Sequence, residues 1–393
     1  MKTLLPCLLT LLTLFGQAAE NVTPIVIGSP APDFKLLGTD EQQHTLADYA
    51  KADVLMVAFL SNHCPTSHAI EARLKKLLAD YKGKGFQVVA INPNHPDGLK
   101  PDELGYSKYN DSFPEMKLYA KDAGFTFDYL YDGDTQGTAK AYGALATPHV
   151  FIFDMERKLR YQGRFDDSRF KDEATVTSPD ARNAVEALLA GKEVPVAETK
   201  PHGCSTKWMS KKNDIVKADN EKWEKGEVDV EIIDAAGVAA LRKNGTKKVR
   251  MFNVWATWCG PCVEEFPELV KTSRKFGLRD FEFITISMDD PTQLKDVKKF
   301  LEEQNNILPG KLKPTLQAEG RKTNNYVFKS ANSDELIQAL DPQWKGPIPF
   351  TLIVAPDGTV VHRLEGGLES AADGDKLRQI ILDYMGDAYV PEK

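Results

Sequence analysis

The chain has 393 residues, 42% hydrophobic and 27% charged, with a formal net charge of -7 and five cysteines. That length accommodates two domains with cores of their own, and no low-complexity tract interrupts it. The acidic balance argues against a nucleic-acid partner, which would call for a basic face; the Lys-rich stretch 206–225 reads as a solvated linker or exposed helix.

Residues 1–19 read as a targeting segment. Lys2 supplies the positive start, Leu4 to Phe15 an apolar run, and Gly16 and Ala18 small residues ahead of a cleavage site near Ala18/Ala19. Twelve apolar positions are too few to span a bilayer and no later run is longer, so the mature chain is expected to be exported (periplasmic or secreted) and not membrane-spanning. Disulfides persist in such a compartment. Losing Cys7 leaves Cys64, Cys204, Cys259 and Cys262, which allow three pairings. The closeness of Cys259 and Cys262 makes their mutual pairing the default, with Cys64 and Cys204 as possible partners.

Further along, Val54–Leu60 reads as a buried strand, Cys64 as the following turn, and Ala69, Leu74, Leu77 and Leu78 as a helical face. A second strand, "FQVVAIN", covers 86–92, and "ATPHVFIFD" (146–154) sets a proline directly before a third. A helical pattern over 178–190 closes this half. Residues 195–228, polar and charged, read as a linker containing Cys204. The pattern then repeats. Val249–Val254 reads as a strand, Cys259 as the turn, Phe266, Leu269 and Val270 as a helix, and "FEFITIS" (281–287) as the next strand. "PIPFTLIVAPDG" (347–358) again puts proline before a strand, Asp357-Gly358 signals a hairpin, and 373–385 is helical. Val54 and Val249, Cys64 and Cys259, and Phe86 and Phe281 are each 195 residues apart. Strand, helix, strand at this spacing is a right-handed βαβ unit. The expected class is α/β, with domains at 20–194 and 229–393, each a mixed sheet flanked by helices.

Cys259-Gly-Pro-Cys262 stands at a strand-to-helix junction. The first cysteine meets the unpaired N–H groups and dipole of the helix start, which favour a thiolate, and Pro261 suits the first turn. Cys259 is therefore the attacking thiol and Cys262 resolves the mixed disulfide. A zinc site would need two further ligands nearby, and a permanent disulfide across so short a loop would add little stability. "WCGPC" is the active-site string of thioredoxin, and "WCGPCVEEFPEL" resembles the exported TlpA/ResA-like thiol–disulfide oxidoreductases over roughly 230–390. That resemblance implies that Glu265 tunes the thiols, where the residue pattern alone gives an exposed helix carboxylate. It further implies a cis-proline at Ile348-Pro349, with Trp258 and Pro349 framing a groove for an extended substrate strand.

Residues 25–165 resemble the redoxin branch of the thioredoxin fold, with its peroxiredoxins and exported peroxiredoxin-like proteins, through "GSPAPDFKL", "NHCPTS", "AINPN", "AYGALATPHVFIFD" and "LRYQGRFDDS". Thr147-Pro148 takes the cis-proline position. Ser61 matches the hydroxyl that peroxiredoxins place before their cysteine, but Val57 stands where a proline is expected. Ser67 replaces the second cysteine, so Cys64 cannot close a local disulfide. "PHGCSTKW" (201–208) resembles a tail that follows such domains, which implies that Cys204 folds back on Cys64; the alternative is an incidental linker thiol. His63, Cys64 and His68 raise a further reading, a non-catalytic binding or copper-handling module, although the histidine spacing is poor for one helical face.

Together these features imply two tandem thioredoxin-like folds that exchange disulfides with exported protein thiols or disulfides, supplied by an upstream electron donor or acceptor. No cofactor or metal is required. An alternative is a thiol peroxidase at Cys64 recycled by the second domain.

Overall fold

The computed structural model describes residues 22–391, so the expected targeting segment lies outside the described residues. Among the described residues, no helix is long and apolar enough to cross a membrane.

The first sheet opens with a hairpin of β1 (Lys35–Gly38) and β2 (Gln43–Thr45). β3 (Val54–Phe59), β4 (Phe86–Asn92) and β5 (Asp128–Tyr131) run parallel through its centre. The short strand β6 (Ala146–Thr147) leads into a cis Thr147-Pro148 bond, after which β7 (His149–Phe153) and β8 (Leu159–Gly163) run antiparallel. The order is β2-β1-β5-β4-β3-β7-β8. All six residues of β3 are buried because the sheet is covered on both faces. Val54, Met56 and Ala58 join one apolar cluster with α1 (Pro65–Asp80), α2 (Phe113–Asp122) and α4 (Asp180–Leu189). Their alternates Leu55, Val57 and Phe59 join the other, with α3 (Gly137–Tyr142).

The stretch read as a linker is docked at both ends. Cys204–Ser205 form β9, antiparallel to β6, and α5 (Lys212–Glu224) follows. Trp208 packs into the first domain's core, while Trp223 joins the apolar cluster under Cys259 and Cys262, with Arg274 4.4 Å above its ring. Two indoles in a charged segment thus tie it to both domains. Truncating such a ring to alanine typically costs about 3–5 kcal/mol.

The second sheet repeats the plan. β10 (Glu231–Ile233), α6 (Ala235–Lys243), β11 (Val249–Trp255), α7 (Gly260–Lys275) and β12 (Phe281–Ser287) come first. Next are α8 (Leu294–Glu303), α9 (Lys313–Ala318), β13 (Asn325–Phe328) and α10 (Ser333–Leu340). β14 (Phe350–Val354), β15 (Val360–Glu365) and α11 (Ala371–Met385) close the chain. The order is β10-β13-β12-β11-β14-β15, with β14 and β15 antiparallel about the Asp357-Gly358 turn. The internal repeat extends to register: Val54 pairs with Phe86, and Val249 with Phe281.

The domains meet where the end of α7 touches residues 101–106. The Arg279 guanidinium lies 3.9 Å over the Tyr106 ring and donates to the carbonyls of Gly105, Met385 and Gly386. Gly105 must stay small here, since a Cβ would come within 2.7 Å of Lys275 O.

Candidate active sites

Cys259 is the N-cap of α7, with Pro261 in the first turn. The chain leaves β11 at its carboxyl end and turns into the helix within a few residues, which sets Cys259 at the helix start, where unpaired N–H groups and the dipole favour a thiolate. Cys259 and Cys262 form a disulfide, and Cys259 Sγ lies 3.9 Å from Ile348 O, beside the cis Ile348-Pro349 bond. Next to this pair Trp258 is 67% exposed, the indole that the resemblance places at a docking groove.

Glu265, one turn beyond Cys262, is not the exposed carboxylate that the residue pattern suggests: it is 1% exposed. Asn253 Nδ2 donates to its Oε1 at 3.0 Å and Leu368 N–H to its Oε2 at 2.9 Å. Burial pushes its carboxyl up to about 7, with those two bonds opposing only in part. A carboxylate that changes charge near neutrality therefore sits on the helix carrying the dithiol.

Cys64 is the N-cap of α1 and is fully buried. Its sulfur lies 2.9 Å from Thr147 O, at the cis Thr147-Pro148 bond, much as Cys259 faces Ile348. The strand β9 lies along this edge with Cys204 opposite Thr147, and Cys204 N–H donates to Cys64 Sγ at 3.4 Å. Gly203 permits that approach, because a Cβ there would sit 2.1 Å from Thr147 O. Both thiols are outside any disulfide. Burial alone would push the Cys64 thiol up. The Cys204 thiol hydrogen bond, the His63 charge and the N–H groups of Ser67 and Cys204 outweigh burial and hold it well below the usual thiol range. Cys204 moves the opposite way: donating to Cys64 and being buried push it up. Ser67, standing where a second cysteine would be, thus contributes its backbone to the first.

The origin of the His63 charge escaped sequence reading. His63 Nδ1 lies 2.5 Å from Asp111 Oδ2, and both side chains are almost wholly buried. Asp111 also accepts from Asn62 N at 2.7 Å, Asn92 Nδ2 at 3.1 Å and Asn94 Nδ2 at 3.0 Å. Burial disfavours the imidazolium, but Asp111 and the Cys64 sulfur prevail and raise the His63 pKa, while Asp111 is lowered against burial by the same partner. The only sequence signal was the asparagine content of "NPN" (92–94) and "YND" (109–111), which reads as turns. His68 is engaged elsewhere, its ring nitrogens 2.7 Å from Asp387 O and 2.8 Å from Asn62 O. Both ring nitrogens of His68 are thus engaged, whereas His63 uses only Nδ1 and its buried Nε2 has no hydrogen-bond partner; among the described residues no cluster of three or more metal-binding side chains occurs. The Ser61 hydroxyl lies 2.8 Å from Thr147 Oγ1, so it is engaged away from Cys64.

Comparison with known proteins places each half separately. Residues 27–162 match the AhpC/TSA family and residues 238–379 the Redoxin family. The thiol-disulfide oxidoreductase ResA of Geobacillus thermodenitrificans (strain NG80-2) is 25% identical over 148 residues, 38% of this chain and 75% of that protein. ResA of Geobacillus kaustophilus (strain HTA426) is 24% identical over the same shares of both chains. Among solved structures, a hypothetical protein of Sinorhizobium meliloti 1021 is 38% identical, covering 48% of this chain and 97% of its own, with a TM-score of 0.43. With one family match on each of the two sheets, the chain is a two-domain thioredoxin-fold protein, similar to thiol–disulfide oxidoreductases.

Proposed function

We infer that this chain is an exported thiol–disulfide oxidoreductase with two redox centres, Cys259/Cys262 and Cys64/Cys204. The ResA relatives bear that activity in their names, and the α7 N-cap dithiol is suited to it. In the reducing direction, the Cys259 thiolate attacks a client disulfide and releases one client thiol. Cys262 then attacks the mixed disulfide, closing Cys259–Cys262 and freeing the second client thiol. Trp258, Ile348 and Pro349 would hold the client strand.

The observation that carries the second centre is the Cys204 N–H on Cys64 Sγ, with Cys204 held opposite Thr147 by β9. Cys204 thereby supplies from a distant segment what Ser67 withholds locally. The test is a disulfide map of the oxidised mature protein, followed through stepwise reduction. The expected result is a reversible Cys64–Cys204 bond alongside Cys259–Cys262. Unpaired Cys64 and Cys204 under an oxidant that closes the other pair would remove the second centre.

The AhpC/TSA match favours one further reading of the first domain, a thiol peroxidase. Cys64 would take an oxygen from a hydroperoxide, releasing the alcohol, and Cys204 would condense with the sulfenic acid, releasing water. The second domain would return two electrons to the resulting disulfide. Steady-state peroxide consumption that depends on Cys64 distinguishes this from exchange with protein disulfides.

A further inference from the structure

Beside the first domain's cysteines lies a cavity of about 290 Å³ lined by Thr66, Asp167, Arg169, His202, Gly203 and Tyr389. Thr66, in the first turn of α1, is two residues from Cys64 and Gly203 adjoins Cys204, so the cavity is lined by the immediate neighbours of both cysteines and not by the sulfurs themselves. Five of these residues precede the second sheet. Tyr389 does not: it follows α11, beyond the whole second domain.

Tyr389 is fixed there by several contacts. Its backbone bridges Phe170, the Arg169 guanidinium lies 4.2 Å over its ring, and the Tyr106 ring centroid is 5.1 Å away. The neighbouring Asp387 reinforces the position through Lys171 Nζ at 2.6 Å and His68 Nδ1. Arg279 grips the same segment at Met385 and Gly386. The charges of Cys204 and Cys64 add to burial in raising the Tyr389 phenol, as expected of a ring close to both sulfurs.

We propose that Tyr389 is a specificity-determining residue of the Cys64/Cys204 centre, contributed by the second domain. It forms the outer wall of an access port that admits small-molecule thiols and oxidants and turns away protein thiols. A cavity of about 290 Å³ holds a small solute but not a folded protein's extended strand. The strand position along β6 is moreover already taken by β9.

This proposal rests on Cys64/Cys204 being the reactive centre of the first domain, but its test does not depend on that pair cycling. The reduced full-length protein, with Cys259→Ser and Cys262→Ser as background, is labelled with N-ethylmaleimide or with a polyethylene glycol-linked maleimide. Mass spectrometry follows Cys64 and Cys204. Tyr389→Ala is expected to raise the bulky reagent's rate about tenfold while changing the small reagent's rate less than about twofold. Tyr389→Phe, which keeps the ring, is expected to label like the parent. Equal acceleration of both reagents, acceleration of neither, or a Tyr389→Phe variant that behaves like Tyr389→Ala would each overturn the wall. Failure of the underlying redox reading shows separately, in the disulfide map.

Discussion

Cys64 and Cys259 occupy the same joint of the same framework, each the N-cap of the helix after a central buried strand and each facing the residue before a cis-proline. They differ in where the partner sulfur comes from. Cys259 has its partner on its own helix, and among the described residues no strand pairs ahead of its cis-proline as β9 pairs with β6, while Trp258 is exposed beside it. Cys64 has its partner on β9, and β9 occupies the cis-proline edge. A thioredoxin-like domain that takes its resolving cysteine from a returning strand gives up the surface on which a protein client would pair. On the proposed function, the second domain takes extended protein segments and the first takes solutes.

The largest effect that would sharpen this contrast comes from removing each resolving sulfur. Cys262→Ser is expected to reduce turnover of protein disulfides to background and to accumulate a mixed disulfide at Cys259. Cys204→Ser is expected to leave that exchange intact and to abolish the disulfide at Cys64. Non-reducing electrophoresis of the two variants checks both halves. If Cys204→Ser alone stopped protein-disulfide turnover, the division of labour would be wrong.

Next in size is Gly203→Ala, which tests the strand without touching a sulfur. The added methyl would stand 2.1 Å from Thr147 O, so β9 must shift outward. Displacing a reacting group by about 1 Å costs on the order of 10²-fold in rate. Closure of Cys64–Cys204 under mild oxidant should slow by about that factor, with Cys259–Cys262 closing at the parent rate.

The charge that ionises Cys64 gives the third prediction. Asp111→Asn takes away the carboxylate that keeps His63 cationic, so the pH profile of Cys64 alkylation should move upward. Below the new midpoint, a tenfold loss of thiolate corresponds to a midpoint higher by about 1 on the pH scale. The parent protein should show the pair in its stability profile too. Asp111 is lowered on folding, so its contribution is present above pH 3.8 and lost as the pH falls through its folded value. His63 is raised, so its contribution is full below pH 6.5 and lost as the pH climbs through its folded value. The first domain's denaturant midpoint should therefore be greatest between those limits and flatten in the variant. An unmoved alkylation profile would show that Cys64 takes its ionisation from β9 and the helix start alone.

Much of this was legible in the residues. Apolar runs at a constant offset gave both central strands, and their paired registers preserve that offset. Cys-x-x-Cys at a strand-to-helix turn gave the second site because its chemistry is local in sequence. The first site was less legible because its parts are far apart: Asp111 is 48 residues from His63, and Cys204 is 140 from Cys64. Composition gave 195–228 as a polar linker, and α5 within it is largely exposed, but charged residues outnumber and so mask the two tryptophans that anchor the segment. Glu265 and Glu264 look alike in sequence; only the packing of α7 and Leu368 decides which is buried.

Glu265→Gln carries the smallest expected effect and extends the comparison to charge control. Folding raises this carboxyl from 4.5 to about 7, so between those values the native state holds a proton that the unfolded chain has released. Stability must then fall as pH rises across that window, by about 3 kcal/mol at most. Glutamine keeps an acceptor for Asn253 or Leu368 and cannot ionise, so the second domain's denaturant midpoint should lose that slope. If Glu265 also tunes the dithiol, the inflection near pH 7 in Cys259 alkylation should vanish in the same variant. Loss of the slope with the inflection retained would assign Glu265 to packing alone. Loss of both would mean that the two domains govern their N-cap thiols by opposite devices: a fixed ion pair beside Cys64, and a titrating carboxyl behind Cys259.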